Sequence, residues 1–71
     1  MLLAIVEAGK RVYVINVDAG DGLRGRLAAM GLVPGTQIEV IRNSFRGPVI
    51  VGVKGSRIVL GHGMARKIIV T

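Results

Sequence analysis

Between Leu23 and Thr36 the chain spells a short helix, its stop signal and a tight reversal, and no other stretch limits the possible folds as much. Asp21 stands where an N-cap acceptor is wanted. Leu23, Leu27 and Met30 recur at i, i+4 and i+7, which aligns three large apolar side chains in one stripe that should lie on a core. Gly31 can take the left-handed conformation at C′ with Leu32 at C″ folding back on Leu27, so the helix ends at Met30. Pro34 sets φ at the first central position of a turn and Gly35 supplies positive φ at the second, making Val33 to Thr36 a type II turn that feeds a strand. Everything around this unit reads as β-structure.

Leu2, Leu3 and Val6 precede a Gly9-Lys10 turn, and Arg11 to Val17 is a β-branched run that forms the first long strand, with Val12 and Val14 on one face. Asp18 to Gly22 is a connector with turn chemistry. Ile38 and Val40 alternate with Gln37 and Glu39 in a second strand from Gln37 to about Asn43. Gly47 and Pro48 resist a central strand and mark a break, after which Val49 to Lys54 is the third strand. Gly55-Ser56 suits a two-residue type II′ hairpin that pairs Lys54 with Arg57 and Val53 with Ile58 in a fourth strand. Gly61 to Ala65 interrupts, and Arg66 to Val70 closes the chain.

With Ser44 to Gly47 as a four-residue loop, Asn43 faces Pro48 and the middle strands align in rows. One face carries Ile38-Val53-Ile58 and Val40-Val51-Leu60, the continuous apolar rows of a barrel interior, with Leu27 and Met30 capping one end. The other carries Gln37-Lys54-Arg57, Glu39-Gly52-Val59 and Ile41-Ile50-Gly61. A one-residue slip would exchange the faces and bury charge. The outer face therefore holds an apolar spot, Ile41, Ile50 and Val59, beside Lys54 and Arg57.

At 71 residues the chain makes a single domain, 1–71, with a small core and no cysteine to staple it. Its hydrophobic fraction of 51% contains only two aromatics, Tyr13 and Phe45, so the core is aliphatic. No apolar run approaches the roughly 18 residues of a membrane span, and the opening residues lack a signal peptide's pattern. A cytoplasmic location is expected. The net charge is +6, and Glu7, Asp18, Asp21 and Glu39 are the only acids. Arg42, Arg46, Lys54, Arg57, Arg66 and Lys67 follow Glu39 unopposed, giving the second half a positive field that attracts anionic partners.

The run Leu23-Arg24-Gly25-Arg26-Leu27-Ala28-Ala29-Met30-Gly31-Leu32-Val33-Pro34-Gly35-Thr36 resembles the arginine-leucine, methionine-glycine and proline-glycine signature of the FeoA family, small bacterial proteins of ferrous iron uptake. Gly47-Pro48, Val53-Lys54-Gly55, Leu60, Ala65, Ile68 and Val70 match in the same order, so the resemblance covers nearly the whole chain. It implies a mainly β fold, an SH3-like small β-barrel with one short helix between the first and second long strands. It also implies a place beside the FeoB-type membrane GTPase transporter on its cytosolic side. FeoA-like modules also end some metal-dependent DtxR-type repressors, attached there to a DNA-binding domain; the free-standing FeoA form is expected here, with a free-standing relative of the repressor module as an alternative.

Arg24 and Arg26 lie off the apolar stripe. A solvated helix flank accounts for them, and contact with an acidic patch or a nucleotide phosphate is the functional alternative. Arg46, between Phe45 and Gly47, is the loop arginine best placed to act in trans on a GTPase. The partner-binding candidates are thus Arg24, Arg26, Ile41, Arg46, Ile50, Lys54, Arg57 and Val59. His62 is the only histidine, and the acids and Met64 show no ligand spacing, so neither a cofactor nor an iron site is expected. Nothing in the sequence builds a catalytic constellation, and the glycines fit turns better than a phosphate loop. Nucleic-acid binding by a small basic barrel is the second reading. Two aromatics are few for a base-stacking platform.

Overall fold

A computed structural model describes residues 1–71. One antiparallel sheet of order β4-β3-β2-β1-β5 is built from β1 (Arg11–Val17), β2 (Gln37–Asn43), β3 (Val49–Val53), β4 (Ser56–Leu60) and β5 (Ile68–Val70). As the sequence predicts, α1 (Asp21–Ala29) lies between β1 and β2. A 3-10 turn, Leu3–Ile5, precedes β1, and a single helical turn, α2 (His62–Ala65), joins β4 to β5. The interrupting segment is therefore helical, and the last strand is shorter than Arg66 to Val70. Its backbone bonds from Ala65 to Gly61 and from Arg66 to His62 hold the turn, and buried Ala65 anchors it.

The sheet rolls around one core. β4 and β5 are its opposite edges, yet Leu60 from one and Ile68 and Val70 from the other sit in the same cluster of 17 buried apolar residues. Val12 and Val14 enter that core from β1, and a bulge between Val14 and Asn16 returns Val17 to it while leaving Ile15 and Asn16 exposed together. The N-terminal segment belongs to the core as well: Leu3, Ala4 and Val6 are buried, and Leu2 bridges Ile69. Met1 and Val70 exchange bonds, the amino terminus donating to the Val70 carbonyl at 2.8 Å and the Val70 N–H to the Met1 carbonyl at 2.7 Å.

The helix stop forms as expected. Gly31 takes φ +89, its N–H reaches the Ala28 carbonyl at 2.9 Å, and the Leu32 N–H reaches the Leu27 carbonyl at 3.0 Å, the paired bonds of a Schellman motif. Met30 does not face the core as the stripe suggested. It is the C-cap residue and 37% exposed, because the reversal at Gly31 delivers Leu32, 1% exposed, into the site beside Leu27. Nor does Asp21 cap the helix. It is the first helical residue, Gly20 is the N-cap, and no side chain bonds the free N–H groups there. The turn after the helix is type II, with Gly35 at φ +91 and the Thr36 N–H on the Val33 carbonyl at 3.0 Å.

Two turns differ from the sequence reading. The β3–β4 hairpin turns over Lys54-Gly55, at φ 51 and 81, which is type I′, so Val53 faces Ser56 and Val51 faces Ile58. Its twist matches that of the flanking strands, which favours it for a two-residue loop. The displacement is two residues, so each side chain keeps its face. Between β2 and β3, Val40 faces Val51 as expected, but Arg42 then faces Ile50 and Asn43 faces Val49. Ile41 is the bulged extra residue and the loop is Ser44–Pro48, one longer than the four-residue reading. Asn43 explains the choice. Its Nδ2 donates to the Ala4 and Val6 carbonyls at 2.9 and 2.8 Å while its Oδ1 accepts the Phe45 N–H at 2.8 Å.

Candidate functional site

The outer face of the sheet is organised by one cross-strand row, Arg11-Glu39-Gly52-Arg57, running from β1 to β4. Gly52 leaves the floor of that row open; a Cβ there would meet the Ile41 Cδ1 at 3.5 Å. The result is a groove of about 590 Å³ lined by Arg11, Gln37, Glu39, Ile41, Lys54 and Arg57 among others. Three cations against one carboxylate make it a basic groove.

Its apolar margin is the pair Ile50 and Val59, which face each other across β3 and β4. Ile50 and Ile41 are half-buried and Val59 is 65% exposed. Alternation alone predicts the rows Ile41-Ile50-Gly61 and Glu39-Gly52-Val59, which the observed register replaces. The I′ hairpin moves Val59 opposite Ile50 and Arg57 opposite Gly52, drawing the apolar spot and the basic rim closer together. The N-terminal segment packs its apolar residues against β5 and α2, leaving Val59 open to solvent.

Five of the sequence candidates, Ile41, Ile50, Lys54, Arg57 and Val59, thus share one face. The others do not join them. Arg24 lines a separate depression of about 350 Å³ with Asn16, Asp21 and Pro34, between α1 and the end of β1. Arg26 is exposed elsewhere on α1, and Arg46 is exposed in the Ser44–Pro48 loop. Arg11 was missed. Its alternation with Val12 marked it as outward-facing, but only the pairing of β1 with β2 sets it beside Glu39.

His62 is half-buried on α2, and its Nδ1 is buried without a hydrogen-bond partner. No three His, Cys, Asp or Glu side chains lie close enough together to hold a metal ion. No helix is long and apolar enough to cross a membrane.

The chain matches the FeoA domain family over residues 1–71. It is 47% identical over 68 residues to a provisionally named Fe(2+) transport protein A of Methanocaldococcus jannaschii, covering 96% of this chain and 82% of that one. Among solved structures it is similar to an iron uptake regulatory protein, FeoA, with a TM-score of 0.93 and 34% identity over 99% of this chain and 93% of the other. FeoA of Stenotrophomonas maltophilia complexed with zinc, described as an SH3 domain protein, shares the fold at a TM-score of 0.86 and 24% identity, over 100% of this chain and 89% of that one.

Proposed function

The chain belongs to the FeoA family, and on that premise we propose that it is a non-enzymatic cytosolic accessory of ferrous iron uptake that binds the cytosolic part of the FeoB-type membrane GTPase transporter. The observation that carries this reading is the outer face of the sheet, where Ile41, Ile50 and Val59 adjoin a groove rimmed by Arg11, Lys54 and Arg57. An apolar centre with a charged rim is the anatomy of a protein interface. Cations around that centre speed encounter with an acidic partner, and those that the complex removes from water also slow its dissociation. In this reading ferrous iron is the transporter's cargo, and the accessory holds no metal of its own.

The test is a pull-down and titration with the purified cytosolic domain of the transporter, with and without GTP. The native chain should bind, and K54E/R57E should weaken binding by at least about tenfold, the scale of losing charges that a complex removes from water. R24E/R26E, which alters a different surface, should leave affinity within about threefold. Equal affinity of the native chain and K54E/R57E would overturn the assignment of this face. RNA competing with the domain at physiological salt would favour a nucleic-acid partner instead.

A further inference from the structure

The two edges of the sheet are not alike. β5 is covered on its outer side by Leu2, which bridges Ile69, and by Met1, which exchanges bonds with Val70. β4 pairs with β3 alone. In a two-residue I′ hairpin the residues flanking the turn, here Val53 and Ser56, form a hydrogen-bonded pair. Alternation then makes Arg57 and Val59 members of non-hydrogen-bonded pairs, whose N–H and C=O groups point away from β3. Neither residue makes a backbone bond elsewhere. The edge also lacks two of the devices that guard exposed strands. It has no proline, and its register runs without a bulge from Val53 and Ser56 to Val49 and Leu60.

We propose that this edge receives an extended acidic segment of a partner protein as a sixth strand, an inference that rests on the outer face being the docking surface. Charge selects the occupant. A second copy would bring together two chains of net charge +6, each with Lys54 and Arg57 at the edge. A carboxylate opposite Arg57, close to Lys54 at the hairpin, is instead attracted. The side chains supply the rest of the pattern. Ile58 packs against the core yet is only half-buried, so an apolar residue opposite it closes the interior. Val59 on the outer face takes a β-branched neighbour. The segment recognised runs apolar, apolar, acidic opposite Val59, Ile58 and Arg57, with backbone pairing supplying affinity and the alternating side chains specificity.

The probe is a short blocked peptide with a central valine-valine-aspartate run flanked by threonines, titrated into the isotopically labelled full chain. Binding should slow amide exchange at Arg57 and Val59 by at least about tenfold. Methylating the peptide's alternate amide nitrogens, replacing its aspartate by lysine, or using R57E should each weaken binding about tenfold or more. Equal binding of the N-methylated peptide, or slowed exchange confined to other strands, overturns the inference. The transporter domain separates the two readings. If it binds V59P, which lacks the outward N–H, as tightly as the native chain but binds K54E/R57E at least about tenfold more weakly, strand addition is wrong and the docking face stands without Val59. If it does not bind the native chain, the docking reading and the inference fall together. Should V59P not fold, the N-methylated peptide carries the same decision.

Discussion

Gly31, Lys54 and Asn43 each settle a local choice that the strands inherit. At Gly31 the backbone is left-handed at φ +89, and a Cβ would lie 3.5 Å from the Val53 Cγ1, ordinary contact distance. Conformation rather than space is what excludes a side chain. Gly31→Ala should therefore lower stability by about 1–2 kcal/mol in denaturant unfolding, the strain of an L-residue in that region. Lys54 is already a non-glycine residue at φ 51, so Lys54→Asn should keep or slightly raise stability, since asparagine suits a I′ turn. The same substitution should weaken the transporter complex, which separates the lysine's charge from its turn. Asn43 ties the Ser44–Pro48 loop to the N-terminal segment through bonds to Ala4, Val6 and Phe45. Losing them in Asn43→Ala leaves part-buried carbonyls unpaired and should cost about 2–3 kcal/mol.

Helix α1 is a poor helix by propensity, with Gly22 and Gly25 inside its nine residues and no side chain capping its start. It persists because its C-terminal end is held: Leu27 is fully buried, the Schellman turn sends Leu32 into the core, and the type II turn fixes Thr36 against β1, where the Val14 N–H meets the Thr36 carbonyl at 2.9 Å and the Gly35 N–H meets the Val14 carbonyl at 2.7 Å. Gly25→Ala meets nothing within 4 Å and needs no unusual φ, so it should stabilise the protein by about 0.5–1 kcal/mol, read as a raised unfolding midpoint. That contrast with Gly31 shows what the sequence could reveal. Gly31 was legible because a stripe ends there and a leucine follows. The inner and outer faces of β2, β3 and β4 were legible because alternation survives a shift of two residues. The bulge at Ile41 and the loop length were not, because they depend on Asn43 reaching carbonyls far away in the chain. The candidate site suffered in the same way: Ile41, Ile50, Lys54, Arg57 and Val59 were placed on one face by pattern, whereas Arg24, Arg26 and Arg46 lie elsewhere and Arg11 joins that face only through a pairing across the helix.

At the scale of the whole molecule, the surplus of positive charge and the face proposed for docking are different things, and kinetics should tell them apart. The field of a +6 chain acts at long range on the rate of encounter with an acidic partner and is screened within about 10 Å at 0.1 M salt. Contacts at the groove act at short range, on the lifetime of the complex. Arg66 and Lys67 are exposed after α2 and lie outside the groove. R66E/K67E removes as much charge as K54E/R57E. By surface binding kinetics, R66E/K67E should slow association by a few-fold at low salt, lose that effect as salt rises, and leave dissociation unchanged. K54E/R57E should slow association comparably and also speed dissociation by about tenfold, an effect that persists at high salt because those charges are removed from water in the complex. Two variants with equal dissociation rates would mean that charge acts only as a field and that the partner docks on another surface.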